Sequence, residues 1–385
     1  MDFAEFIAPR TLESFLSEDY GRHPVHIQGE SPRAGLLSMA RLEQLLSVRP
    51  HWTEGNLKLI LNSRPVLGEH YLDRTTSGAP RADPVKVQLF MRMGASLVGD
   101  HIEDIDPGVR EVADMLSDTF AGTAGANVYC SFKDIRAFNS HCDLHEVFAV
   151  QLEGEKVWQI YENRADAPVE ALQGDQAQAM IDRVKGRVMM TVRMQPGDLL
   201  YIPRGYFHDA LAQSAASLHL TFGVKPLDGR IVFRLLEDLA IQNSGFRAYL
   251  PDGRTDAAAL HEHLERISET LTDILRSPAF EHRLRNRQRA IVSRDQAVDL
   301  KDRRKLDYYA HTGAPADVVG DHLRHGRGEE PLGLLAEAAE WAIGQAAFSE
   351  QQLQAQFPWL EDAEVQSLVQ LLVRTGAFTP YEPQL

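Results

Sequence analysis

Cysteine is nearly absent from this chain of 385 residues: Cys130 and Cys142 are the only two. Two thiols cannot staple a disulfide framework, and they suit a reducing compartment. Both fall in strand-like sequence and read as buried free thiols. Long apolar runs are missing too. None approaches the ~18 residues of a membrane-spanning helix, and Met1-Asp2-Phe3-Ala4-Glu5 has no basic stretch leading into an apolar core. The expectation is a cytoplasmic protein with no membrane association. Net positive charge is the third absence. Forty Lys and Arg stand against 55 Asp and Glu, a formal charge of -15. That argues against broad attraction to nucleic acid or anionic lipid, so no direct DNA binding is expected.

What is present is an average globular composition, 44% hydrophobic and 25% charged, at a length that suggests two or three domains. The charge is uneven. From Glu329 to Leu385 there are nine acidic residues and one basic residue, Arg374. By contrast Arg283, Arg285, Arg287, Arg289, Arg294, Lys301, Arg303, Arg304 and Lys305 crowd one segment. Such runs are mostly solvated helix faces or pair with acidic neighbours, so internal or dimer pairing with the acidic tail ranks ahead of RNA contact.

Residues 139–161, N-S-H-C-D-L-H-E-V-F-A-V-Q-L-E-G-E-K-V-W-Q-I-Y, organise the rest. His141-Cys142-Asp143 is an H-x-D pair; Val147 to Leu152 is apolar; Glu153-Gly154-Glu155 is a tight turn; Lys156 to Tyr161 returns as a strand. Residues i and i+2 of a strand share a face, so His141 and Asp143 can converge while Cys142 faces away. They supply two-thirds of a 2-His-1-carboxylate facial triad, which leaves positions open on Fe(II) for oxygen chemistry. Gly197 to His208, G-D-L-L-Y-I-P-R-G-Y-F-H, offers the third ligand: a turn, a short apolar strand, a Pro-Gly turn and then His208 at the strand mouth. A lone H-x-D is a weak motif and usually marks a surface pair; the second segment is what raises it. His145 shares the face of His141 and Asp143, but four residues along a strand is ~13 Å, so His145 reads as pocket lining.

Thr11 to Leu16 and Ser38 to Val48 have capped helical spacing, as does Pro107 to Phe120 with Pro in its first turn. Arg22 to Ile27, Leu57 to Asn62 and Val85 to Phe90 read as strands. Strands dominate from Ala126 to Val224, with a polar helical insertion from Ala165 to Lys185 read as a lid or flank. Even strand spacing with Gly/Pro/Asp turns predicts an all-β barrel or jelly roll around the metal. After Lys225 the spacing turns helical over Gly229 to Asn243, Thr255 to Leu275 and Ala279 to Arg289. The end of the chain, with helix, turn, helix and short strand at Gly376-Ala377-Phe378, has the order of a small winged-helix unit. With almost no Lys or Arg it is a poor phosphate binder, and it reads as a protein-interaction or structural module.

N-V-Y (127–129), H-C-D (141–143), F-A-V-Q-L-E-G-E-K-V-W (148–158), Y-I-P-R-G-Y-F-H (201–208) and S-L-H-L-T (217–221) resemble, as an ordered set, the ribosomal-oxygenase branch of the JmjC-type 2-oxoglutarate oxygenases. The resemblance spans nearly the whole chain. It implies an α+β protein: a double-stranded β-helix (cupin, jelly-roll, JmjC-type) catalytic domain over 1–225, a helical dimerisation region over 226–315, and an acidic winged-helix-like domain over 316–385. By the same resemblance His141, Asp143 and His208 are the iron ligands. Lys156 pairs with the distal carboxylate of 2-oxoglutarate, with Tyr129 as its hydroxyl partner, and Asn127 and His219 match pocket positions near the cosubstrate. A Lys ammonium suits that task, since it makes a strong charge-assisted bond to a carboxylate.

The implied activity is Fe(II)-, 2-oxoglutarate- and O2-dependent hydroxylation of an amino-acid side chain, such as His or Arg, in a ribosomal-protein-like substrate, by a homodimer. Arginine-hydroxylating bacterial members tend to carry arginine where this chain has Lys156; lysine is more like the histidine-hydroxylating members. Leu144 and His145 depart from the family pattern and place a new imidazole near the substrate mouth. A biosynthetic precursor peptide or small molecule as substrate therefore stays open, as does a metal cupin enzyme that uses no 2-oxoglutarate. N-methyl-lysine demethylation shares the metal chemistry, and a non-catalytic scaffold is the weakest reading.

Overall fold

Alternation along the strands between residues 122 and 226 builds two facing sheets in the computed structural model, which describes residues 1–29, 32–48, 51–61, 64–73, 80–132, 139–172, 176–212, 216–292 and 307–381. The chain divides into two compact units, Met1–Pro226 and Leu227–Leu385.

The first unit contains strands β1 (Val25–Ile27), β2 (Leu57–Leu61), β3 (Arg64–Pro65), β4 (Leu72–Asp73), β5 (Arg81–Ala82), β6 (Ser96–Gly99), β7 (Gly122–Phe132), β8 (Glu146–Glu153), β9 (Lys156–Arg164), β10 (Val188–Met194), β11 (Leu199–Ile202), β12 (Tyr206–Ala212) and β13 (Ala216–Pro226). Its helices are α1 (Phe3–Ile7), α2 (Leu12–Ser14), α3 (Met39–Leu46), α4 (Pro84–Arg92), α5 (Pro107–Phe120) and α6 (Ala177–Val184). The large sheet has the order β1-β11-β8-β13-β7-β6-β2-β3, and the small one β10-β9-β12. All pairings within them are antiparallel.

Strand β8 shows how the two faces of the large sheet are used. Val147 and Ala149 join Trp158, Ile160, Val192 and Met194 in the core between the sheets. Phe148, Val150 and Leu152 point the other way, into the core shared with the helices. Phe148 lies at the centre of an aromatic cluster, with ring centroids 6.0 Å from Phe15, 5.8 Å from Phe120 and 4.9 Å from Tyr201. Each such buried side chain contributes ~1.5–3 kcal/mol. Helix caps follow the expected residues. Thr11 Oγ1 accepts from Ser14 N and Ser38 Oγ from Arg41 N, while Pro107 opens α5 behind Asp106. Residues 85–90 depart from expectation: they form α4, not a strand. The Asp83 carboxylate accepts from the N–H groups of Val85 and Lys86, and Pro84 occupies the first helical position, an N-terminal signal stronger than a short apolar run.

The second unit begins with α7 (Arg230–Ala240), α8 (Ser244–Arg247), α9 (Ala257–Arg276) and α10 (Pro278–Val292). Then come β14 (Tyr308–His311), β15 (Ala316–Val319), β16 (His322–His325), β17 (Gly328–Pro331), α11 (Ala336–Ile343), β18 (Ala347–Ser349), α12 (Glu350–Gln356), α13 (Asp362–Arg374) and β19 (Phe378–Pro380). One three-stranded sheet runs β18-β14-β19 and the other β15-β16-β17. Phe348, Leu353, Leu368, Leu372 and Phe378 lie in the core of this unit. The basic helix α10 is engaged within it. Arg283 Nη2 donates to Gly320 O at 3.1 Å, Arg285 pairs with Glu281 at 2.6 Å, and the Arg289 guanidinium sits 5.9 Å from the Trp359 ring. Arg294, Lys301, Arg303, Arg304 and Lys305 lie outside the described residues.

Candidate metal centre

The turn at Pro203-Arg204-Gly205 aims β12 at the loop that carries the H-x-D pair. Gly205 has φ 88°, and its N–H donates to Asp143 O at 3.0 Å. His141 and His208 then exchange main-chain hydrogen bonds, N to O 3.0 Å one way and 2.8 Å the other. His141 makes only this isolated bridge, and Asp143 lies in the loop before β8. The two side chains therefore converge through a bridged loop rather than along one face of a regular strand.

His141 Nδ1 lies 2.9 Å from Asn139 O, and His208 Nδ1 lies 3.0 Å from Tyr206 O. Both contacts fix the N–H on Nδ1 and leave Nε2 as the ligating atom. Asp143 Oδ1 is 3.9 Å from His141 Nε2, and its Oδ2 is 3.5 Å from His208 Nε2. All three ligand atoms fall within 4.8 Å of one another, which among the described residues makes His141, Asp143 and His208 the one such cluster. Burial opposes the charge on Asp143, but His208, His141 and His145 outweigh it and hold the carboxyl below its ordinary value. Burial, reinforced by His141, pushes His208 down to about 4. One carboxylate and two imidazoles whose Nε2 atoms face a common point are a donor set that ferrous iron would take with positions left open.

A cavity of about 220 Å³ adjoins the triad. Strands β7 and β13 line it with three successive cross-strand pairs, Gly125 with Gly223, Asn127 with Thr221 and Tyr129 with His219. The last two rings stack at 4.6 Å and 11°. The facing sheet contributes Lys156 and Trp158 from β9, and His208 and Ala210 from β12. His145 lines the cavity with its ring laid over Gly223, where a Cβ would fall 2.7 Å from Cε1; only glycine admits the ring there.

Lys156 is 4% exposed. Its Nζ lies 3.5 Å from His219 Nδ1 and 5.7 Å from the ring centroids of both Tyr129 and Trp158. No carboxylate lies within ion-pair distance of it among the described residues. Burial lowers its pKa from 10.5 to about 7. Burial and the adjacent ammonium keep His219 well below its ordinary value, so it is neutral. Burial also raises the Tyr129 phenol, Asp143 adds to that, and Asn127 hydrogen-bonds the phenol. The Trp158 indole N–H is buried with no partner among the described residues. A buried ammonium and an unpartnered donor, in one cavity with a metal triad, fit an anion that spans from metal to lysine.

All seven residues expected from sequence, His141, Asp143, His208, Lys156, Tyr129, Asn127 and His219, line this one cavity. The expectations did not include Trp158, Thr221, Ala210, His101, Gly125 and Gly223. Trp158 stands two residues beyond Lys156, and Thr221 and Gly223 two and four beyond His219, so strand alternation carried the signal for them.

Residues 99–230 match the JmjC domain family. The chain is 28% identical over 221 residues to the bifunctional lysine-specific demethylase and histidyl-hydroxylase NO66 of Drosophila persimilis, covering 57% of this chain and 31% of that protein. It is 32% identical over 225 residues to ribosomal oxygenase 1 of Danio rerio, covering 57% and 39%. The chain thus spans well under half the length of these curated relatives. Among solved structures it is similar to ycfD of E. coli, with TM-score 0.51 and 15% identity over 97% of this chain and 98% of that one. It is also similar to the E. coli ribosomal oxygenase YcfD in complex with cobalt and succinic acid, with TM-score 0.50 and 14% identity over 96% and 98%. At these identities the structural likeness speaks to the fold alone.

Proposed function

We propose, from a chain whose residues 99–230 match the JmjC domain, that this protein is an Fe(II)- and 2-oxoglutarate-dependent oxygenase that hydroxylates an amino-acid side chain in a protein or peptide. The observation that carries this reading is Lys156: a buried ammonium without a carboxylate partner among the described residues, in the same cavity as the triad. His141, Asp143 and His208 would hold the iron. Lys156, with Tyr129, would bind the distal carboxylate of the cosubstrate, while Asn127 and His219 border the same space. When bound, iron with 2-oxoglutarate and O2 supplies the C–H oxidation that no side chain can perform. The protein supplies orientation. Nδ1 contacts fix both imidazoles, the stacked Tyr129 and His219 rings wall the base of the cavity, and His145 stands where a substrate side chain would enter.

The names of the relatives, ribosomal oxygenase and histidyl-hydroxylase, support a ribosomal protein as the substrate and His as the target residue, with Arg the second reading. A homodimer is supported by apolar side chains left open on the second unit: Phe233 is 73% exposed, Ile241 47% and Leu250 63%. Within that unit we read residues 226–315 as the helical dimerisation region and 316–385 as a winged-helix-like domain. The two free thiols, Cys130 and Cys142, support a reducing compartment, which we take to be the cytoplasm.

Anaerobic titration with Fe(II) and 2-oxoglutarate tests the reading. Bidentate cosubstrate on ferrous iron gives a weak visible charge-transfer band, expected in the wild type and weakened in Lys156→Ala. Iron binding without that band would overturn the 2-oxoglutarate mechanism.

A further inference from the structure

Behind the metal centre lies a second polar cluster that the oxygenase reading does not use. Successive residues of β12 point to opposite faces, so His208 faces the cavity and Asp209 faces away from it. Asp209 is 2% exposed, and its Oδ2 accepts from the hydroxyls of Ser140 and Tyr161, each at 2.7 Å. Ser140 Oγ in turn accepts from Lys185 Nζ at 3.0 Å, and that ammonium sits 4.5 Å from the Tyr161 ring centroid. Tyr161, Ile181 and Phe207 pack together beside the cluster. Asp209 does not line the cavity.

The positions of these residues in the chain give the cluster its meaning. Ser140 precedes His141, Asp209 follows His208, Tyr161 lies on β9, and Lys185 ends α6. The loop that bears His141 and Asp143 has no regular secondary structure beyond its one bridge to His208. A carboxylate buried on this scale requires donors; here one, Ser140, sits next to His141 on the ligand-bearing loop, and the other, Tyr161, on β9, which pairs with the strand of His208.

We infer that Asp209, with Ser140, Tyr161 and Lys185, forms the positioning network of the metal centre, and that the segment ending in α6 is its buttress rather than a lid. The network clamps the H-x-D loop to β12 and β9, so that the three ligand atoms meet without reorganisation when metal arrives. The inference rests on the metal-centre part of the proposed function, not on the cosubstrate. Partners outside the ligand set that orient metal ligands change metal affinity by about 10–100-fold.

The test is titration of the full chain with Co(II), followed through its visible d–d absorption, in wild type, Asp209→Asn, Ser140→Ala and Tyr161→Phe, with thermal melting of each metal-free protein alongside. The expected result is a Co(II) Kd raised about 10-fold or more in Asp209→Asn and by a smaller factor in the other two. An altered d–d envelope at saturation should accompany it. Tyr161→Phe removes one hydroxyl and keeps the ring, so it serves if Asp209→Asn does not fold. A Kd within twofold of wild type and an unchanged envelope in the folded variants, with only the melting temperature lowered, would make the cluster merely structural and overturn the inference. If Co(II) binds as expected but 2-oxoglutarate leaves the spectrum unmoved, the oxygenase reading fails while this inference stands.

Discussion

At the scale of single residues, the role proposed for Lys156 would couple proton binding to ligand binding. Its ordinary pKa of 10.5 falls to about 7 because the ammonium is buried away from water. Below that value it is charged and ready for a carboxylate. Above it the lysine is neutral, and binding a dianion must first take up a proton. The Kd for 2-oxoglutarate should therefore rise with pH above neutrality, by about tenfold per pH unit until the pKa of the bound state is passed. Titrations on both sides of pH 7 check this. The slope should vanish in Lys156→Ala, and a flat profile in the wild type would contradict the placement. For the ligands themselves, His141→Ala and Asp143→Ala should abolish succinate formation while circular dichroism stays unchanged. The convergence of His141, Asp143 and His208 was legible in the sequence from the H-x-D spacing and the turn that precedes His208. The absence of a carboxylate partner for Lys156 among the described residues was not, since it depends on which strands face each other across the cavity.

At the scale of elements, turns decide more than strands do. The backbone at Gly205 lies in a region that L side chains avoid, at φ 88°, and a Cβ there would fall 2.5 Å from Ala165 O. Gly205→Ala should cost ~1–2 kcal/mol in backbone strain alone, with the clash added. Because the same turn aims His208, the variant should melt lower and bind metal more weakly; a melting curve and the Co(II) titration read the two effects separately. Elements with strong end signals were readable: the helix after Ser38, the helix opened by Pro107, and the two strands on either side of Glu153-Gly154-Glu155, which lie in different sheets. The misreading of 85–90 as a strand has the same origin. Asp83-Pro84 is an N-cap followed by a first-turn proline, and the apolar run behind it points outward at Val85 and Leu89 while Val87 is buried. Strands β15 to β17 escaped notice because His322-Leu323-Arg324-His325 and Gly328-Glu329-Glu330-Pro331 offer almost no apolar alternation. Their pairing with one another, not burial, defines them.

At the scale of the whole molecule, two expectations concern assembly and charge. Phe233, on α7, stands 73% exposed, and a second copy covering it, as proposed, would account for an apolar surface that water alone leaves costly. Sedimentation at micromolar concentration should give a dimer for the wild type and a monomer for Phe233→Glu; a monomeric wild type would refute the assembly. The uneven charge seen in the sequence is partly settled inside the second unit. Burial raises the Glu337 carboxyl while Arg283 and Arg287 pull it back down, so basic helix and acidic segment meet there. One further consequence follows from the difference in depth between Lys156, 4% exposed, and the side chains of His141 and Asp143, 40% and 28% exposed. A metal held by His141 and Asp143 would therefore lie nearer the solvent than the lysine ammonium does. Under the proposed function such an arrangement would impose a queue: the dicarboxylate would have to enter before a protein chain covers the opening, and the spent acid would depart only after that chain has lifted. Steady-state kinetics should accordingly show compulsory order, with inhibition when the peptide is in excess and arrives first.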